Sequence, residues 1–147
     1  MRFTPHVTVA TIVEDQGRFL LVEEWADNRH VFNQPAGHLE ADESLIQAAL
    51  RETREETGWE VELTGVIGIY LYTAPSNGVT YQRVCFAARP LHQIPDSTLD
   101  EGIIAPHWLS RDEIEARADR LRSELVLRCI DDFINGPLFP LELIRNS

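Results

Sequence analysis

Three glutamates in the first half of the chain carry the strongest chemical signal. On a helical projection at about 100° per residue, Leu45, Ile46, Ala48, Ala49, Leu50 and Thr53 form one broad apolar stripe. Glu52 and Glu56 fall inside it and Glu55 on its flank, while Gln47, Arg51 and Arg54 take the opposite side. Carboxylates turned toward the packed side of a helix are costly unless a cation meets them. No lysine is available to do so, because all 13 basic residues are arginines. A bound divalent metal is the economical answer, and an oxygen-only donor set favours Mg²⁺, with Mn²⁺ as the second choice. Just upstream, Gln34-Pro35-Ala36-Gly37-His38 reads as a tight turn in which Gly37 permits close backbone approach, so its carbonyl can join the carboxylates.

The elements that must position these groups follow from turn and periodicity signals. His6–Val13 and Arg18–Glu24 are β-type runs around Glu14-Asp15-Gln16-Gly17, which predicts a hairpin. The segment 28–37 reads as irregular, punctuated by Pro35 and Gly37. A helix is expected from about Asp42 to Thr57, closed by Gly58, with Glu43 suited to the positive end of its dipole. Trp59–Thr73 alternates, with bulges expected at Gly65 and Gly68, and Val79–Ala88 returns as a strand after Pro75-Ser76-Asn77-Gly78. An acidic loop, Asp96–Gly102, precedes a short strand through Trp108. Ser110 and Glu113 form a capping box, and a last helix runs from Ser123 to Ile134. Strands on both sides of the first helix predict an α+β fold, a sandwich around a mixed sheet, with residues 1–147 forming one domain.

Composition narrows the function. The 13 basic and 24 acidic residues leave a formal net charge of −11, which argues against nucleic-acid or anionic-membrane partners. No apolar run reaches the roughly 18–20 residues of a membrane span and the start lacks a signal-peptide pattern, so a cytoplasmic protein is expected. The absence of lysine excludes P-loop, Schiff-base and kinase-type lysine chemistry. Cys85 and Cys129 lie in apolar contexts and read as core thiols. In Val79–Ala88, alternation puts Tyr81, Arg83, Cys85 and Ala87 on one face and Gln82, Val84, Phe86 and Ala88 on the other. Both faces look covered, so Arg83 must find an anion, either a carboxylate of the chain or a substrate phosphate or base.

Gly37, five residues, Glu43, seven residues, then Arg51-Glu52-Thr53-Arg54-Glu55-Glu56-Thr57-Gly58 resembles the signature of the Nudix hydrolases. All seven defined letters match, which chance would produce anywhere in this chain on the order of once in a million. Thr53 and Trp59 depart from the usual aliphatic residues at two packing positions. Pro5–Ala10, Leu121–Ser123 and Pro140–Glu142 are similar to segments of a bacterial phosphatase subgroup. The resemblance implies an α/β/α sandwich and Mg²⁺-dependent hydrolysis of a diphosphate linked to another moiety. For the subgroup it implies nucleoside di- and triphosphates and the pyrimidine diphosphate of thiamine synthesis.

Carried over by position, the resemblance makes Glu52, Glu55 and Glu56 the metal carboxylates beside the Gly37 carbonyl, with Glu52 also a candidate base and Arg51 orienting the acids. Asp100 and Glu101 lie in a loop that often supplies a further acid, and Glu101 is counted among the ligands. Arg83 and His38 are the candidate substrate contacts, and Phe32, Tyr70, Tyr72 and Tyr81 are aromatic residues for base stacking or core packing. The partner expected is a small phosphorylated molecule, and the chain a monomer or homodimer. Two alternatives stand beside hydrolysis. A non-hydrolytic nucleotide sensor on this fold usually lacks one of the acids, and here none is missing. A prenyl diphosphate isomerase on this fold needs a reactive cysteine, whereas both cysteines here look buried.

Overall fold

The computed structural model describes residues 1–147. Seven strands and three α-helices follow in the order β1 (His6–Asp15), β2 (Arg18–Ala26), β3 (Arg29–Asn33), β4 (Ala36–His38), α1 (Leu45–Thr57), β5 (Trp59–Thr73), β6 (Thr80–Gln93), β7 (Ile103–Ser110), α2 (Arg111–Glu115) and α3 (Leu125–Asn135). The strands run β3-β2-β1-β6-β5, with β4 added to β1 and β7 to β2. The sheet is mixed because β1 and β6 pair in parallel from His6↔Tyr81 to Val13↔Ala88, while the other pairs are antiparallel.

Alternation along β1 and β6 divides the core into two layers. Ala10, Ile12, Cys85 and Ala87 pack with α3 residues Val126, Cys129 and Ile130 on one side. Val9, Val13, Val84, Phe86 and Ala88 pack with Ala48 and Ala49 of α1 on the other. Both faces are therefore covered, giving the α+β sandwich expected from the sequence. Small residues at 48 and 49 let α1 lie close to the sheet. Thr53, in place of an aliphatic residue, satisfies its hydroxyl at 2.8 Å from both Thr11 Oγ1 and the Ala49 carbonyl. Trp59 meets Trp108 edge-on with ring centroids 5.5 Å apart. Cys85 and Cys129 are free and fully buried.

The predicted bends in β5 appear as register shifts between Leu63 and Gly65 and between Val66 and Gly68. Gly65 has a clear cause: the Leu138 side chain and the Phe139 carbonyl sit where its Cβ would lie. The segment read as irregular instead contains β3 and β4. Pro35 interrupts them, but its carbonyl accepts from Thr11 N–H at 3.1 Å, so the interruption stays stitched to β1. Strand β6 continues to Gln93, past the expected end at Ala88, because its partner β5 extends alongside to Trp59.

Candidate active site

Helix α1 presents the acids, and its ends fix where they point. Ser44 caps it by accepting from Gln47 N–H at 3.0 Å while Gln47 Oε1 accepts from Ser44 N–H at 2.8 Å. Gly58 closes it in the left-handed conformation at φ 74°. Glu43 lies one residue before the cap, outside the first turn. It accepts from Arg51 Nη2 at 2.7 Å and Nε at 3.0 Å, and from Glu40 N–H at 2.9 Å. Those bonds hold its carboxyl below the usual range, the Arg51 contribution being the largest.

Arg51 ties the acids together. Its side chain, only 16% exposed, folds along the helix instead of pointing away from the acids. Nη1 donates to Glu52 at 2.7 Å and Glu55 at 2.9 Å, and Nη2 also reaches the His38 carbonyl at 3.1 Å. A guanidinium on a long stem can span positions that a projection separates. Arg51 thus meets Glu52 and Glu55, yet one guanidinium among four carboxylates, Glu40, Glu43, Glu52 and Glu55, leaves an acidic excess.

Glu52, Glu55 and Asp100 each offer a carboxylate oxygen, all within 4.8 Å of one another. Asp100 is held there by its backbone N–H, which donates to the Glu55 carbonyl at 3.0 Å. Glu101, counted as the loop's ligand, is absent from this cluster. The Ile103 N–H closes a turn onto the Asp100 carbonyl at 3.1 Å, leaving exposed Glu101 at its tip. Glu56 stands apart from the three, its Oε1 accepting from Ala36 N–H at 2.9 Å at the head of β4. Gly37 lies against Glu52, whose carboxylate would overlap any Cβ at that position.

Electrostatics sharpen the arrangement. Burial pushes the Glu56 carboxyl up to about 9, the Ala36 N–H only partly opposing it. Burial also raises Glu52, with Arg51 pulling the other way, and raises Asp100, helped by repulsion from Glu55. Oxygen donors that are crowded and reluctant to ionise together fit a hard divalent cation, whose charge offsets both penalties.

Beside the acids lies a cavity of about 240 Å³ whose lining includes Gly37, His38, Glu56, Tyr72, Tyr81 and Arg83. Arg83 is 7% exposed and has no carboxylate within 4.0 Å. Its Nη1 donates to Gln34 Oε1 at 3.0 Å and lies 3.7 Å from Cys129 Sγ. His38 is exposed at the mouth, with Nε2 3.2 Å from His6 Nδ1. Of the aromatic candidates, Tyr72 and Tyr81 line the cavity, whereas Phe32 and Tyr70 belong to the core. Sequence reasoning missed Glu24, Asn33 and Arg122, which share this lining. Glu24 and Arg122 pair at 2.6 Å across 98 residues, and no local signal announces such a contact.

A seven-stranded mixed sheet between helices, with acids from one helix meeting a loop beside a cavity, defines the class, and residues 2–129 match the NUDIX domain family. The chain belongs to the Nudix hydrolases and is a hydrolase acting on phosphoanhydride bonds. Over 142 residues it is 42% identical to proteins named Phosphatase NudJ from Shigella boydii and Escherichia coli, covering 97% of this chain and 92% of theirs. A solved NUDIX hydrolase from Nitrosomonas europaea superposes with a TM-score of 0.95 at 43% identity, covering 98% of both chains.

Proposed function

We propose that the protein is a Mg²⁺-dependent pyrophosphohydrolase or phosphatase. Its substrate is a nucleoside di- or triphosphate, or the pyrimidine diphosphate of thiamine synthesis, and Mn²⁺ substitutes for Mg²⁺. The observation that carries this reading is the convergence of Glu52, Glu55 and Asp100 beside the cavity holding Arg83. The 42% identity to the NudJ phosphatases supports the substrate class. The whole chain, 1–147, acts as one domain, since the segment beyond the family match returns to the sheet through Phe139 and Val66. Its partner is a small phosphorylated molecule rather than nucleic acid, its site of action the cytoplasm.

Glu52, Glu55 and Asp100 would hold the metal, with the Gly37 carbonyl and Glu56 adjoining. When bound, a divalent cation neutralises phosphate charge and makes water a better nucleophile near neutral pH. Arg51 keeps Glu52 and Glu55 in place through its two short bonds. Glu52, whose burial raises its proton affinity, is suited to take the proton of the attacking water. Arg83 supplies the fixed positive charge in the cavity for the substrate's anionic or carbonyl oxygens. His38 stands at the mouth, within reach of an entering phosphate.

A panel of nucleoside di- and triphosphates and the thiamine-pathway pyrimidine diphosphate, followed for phosphate and pyrophosphate release, tests the reading. Turnover of at least one member in Mg²⁺ is expected. No turnover of any member in either metal contradicts it.

A further inference from the structure

One wall of the cavity carries an ion pair that the acid site does not use. Glu24 of β2 and Arg122, just ahead of α3, both line it, and Arg122 Nη1 donates to Glu24 Oε1 at 2.6 Å. That is the one side-chain hydrogen bond either residue makes, so a guanidinium fork capable of two parallel bonds is only half engaged. The Arg122 side chain is 47% exposed, and neither the second Glu24 oxygen nor the remaining Arg122 N–H groups are sealed from solvent. Backbone contacts hold both residues in place. The pairing of β2 with β7 shifts register between Glu23 and Glu24, an irregularity of the kind that re-aims a side chain. Arg122 N–H donates to the Phe32 carbonyl at 2.8 Å and Leu121 bridges to Phe32, which ties the segment carrying the guanidinium to β3.

The charges around the cavity decide which part of a substrate meets this pair. Arg83 is held by the neutral Gln34 amide, so its positive charge is uncompensated, whereas Glu24 and Arg122 neutralise each other. A di- or triphosphate is drawn to Arg83, and a fixed carboxylate at Glu24 repels it. The pair lies within electrostatic reach of the acids: after burial, repulsion from Glu52 and then from Glu24 adds to the rise of the Glu56 carboxyl. What remains for the pair is the uncharged end of the substrate. A free carboxylate oxygen beside free guanidinium N–H groups is an acceptor–donor edge. Its complement is a heterocycle with an N–H group next to a ring nitrogen or carbonyl oxygen.

We propose that the Glu24–Arg122 pair is a specificity-determining element for the non-phosphate group of the substrate, Glu24 accepting from an N–H of its heterocycle while Arg122 donates to the adjoining acceptor. This rests on the hydrolase reading above, and the test separates the two. The probes are two matched pairs in which a benzene ring replaces the heterocycle. One is the pyrimidine diphosphate of thiamine synthesis against benzyl diphosphate, the other cytidine diphosphate against its phenyl C-riboside counterpart. Each is used as the hydrolysable diphosphate for kcat/KM and as the methylene-bridged analogue for calorimetric affinity.

Wild-type protein should favour the heterocyclic member of at least one pair by about tenfold or more in both readouts, since a site built around polar contacts rejects the analogue lacking them. In Glu24→Leu and in Arg122→Met that ratio should fall toward one, with the benzene member changed less than about twofold. Glu24→Leu leaves a half-exposed guanidinium free to hydrate, so it tests the pair even if Arg122→Met strands Glu24 and does not fold. Equal affinity of wild type for both members of both pairs overturns the proposal. So does an unchanged ratio in Glu24→Leu, which would make the pair a structural tie, or an equal loss on both members, which would make it a phosphate contact. If no diphosphate is hydrolysed, the hydrolase reading fails, while the methylene analogues still report on the pair.

Discussion

Replacing Arg83 by methionine separates a substrate contact from a structural ion pair. The substitution removes the charge while nearly keeping the volume, so packing between β6 and α3 changes little. Were Arg83 paired with a buried carboxylate, its loss would strand that charge at a cost of about 3–5 kcal/mol. The structure places no carboxylate within 4.0 Å of the guanidinium, and its partners are the Gln34 amide oxygen and the Cys129 thiol. Losing the charge leaves one neutral acceptor unpaired, which costs about 1–2 kcal/mol. For a chain of this length that lowers Tm by roughly 3–8 °C. The kinetic effect should be larger in kind, with kcat/KM falling about 10–100-fold as a charge-assisted bond to substrate is lost. Thermal unfolding and steady-state kinetics on the same preparation give both numbers, and metal affinity should stay within a factor of about two. A Tm drop well beyond 10 °C with wild-type kcat/KM would refute the reasoning, because it requires a structural partner that Arg83 does not have.

Other perturbations probe the acids. In metal-free protein Glu56 ionises near 9 against an ordinary 4.5, so between those values the folded state binds the extra proton and stability falls as pH rises. Glu56→Gln should abolish that loss, gaining on wild type by up to about 1.4 kcal/mol per pH unit across the window and not below it, as urea unfolding at pH 5 and pH 8 would show. In saturating Mg²⁺ the same variant should lose about 10²-fold in kcat with its fold intact, and near-normal kcat would remove Glu56 from the chemistry. Asp100→Asn should weaken Mg²⁺ activation at least tenfold while Glu101→Gln changes it less than about twofold; equal effects would contradict the placement of the loop. Gly37→Ala should abolish activity, since its methyl displaces the Glu52 carboxylate, and unaltered kinetics would show that the turn relaxes without consequence.

Local signals made much of this legible. The capping residue Ser110, the left-handed Gly58 and the bends at Gly65 and Gly68 are short-range features, and the structure places them as read. Alternation along β6 foretold two covered faces because both layers of the sandwich leave their period in one strand. Strands β3 and β4 were hidden because Pro35 and Gly37 punctuate them, while their pairing depends on β1 and β2, distant in sequence. The reach of Arg51 back to Glu43 was not legible, because a projection records where Cα lies and not how far a guanidinium reaches. That Asp100 and not Glu101 lies beside Glu52 and Glu55 goes with a backbone hydrogen bond from Asp100 to α1, which neither residue type encodes.

The central claim is that carboxylates gathered by α1 and the 96–102 loop hold a divalent cation on which hydrolysis depends. Its most direct test is phosphorus NMR of diphosphate hydrolysis by EDTA-stripped protein, before and after titration with Mg²⁺. The account predicts no product without metal, saturable recovery with Mg²⁺ or Mn²⁺, and no recovery in Glu52→Gln at the same metal concentrations. Full turnover by the stripped protein would contradict it.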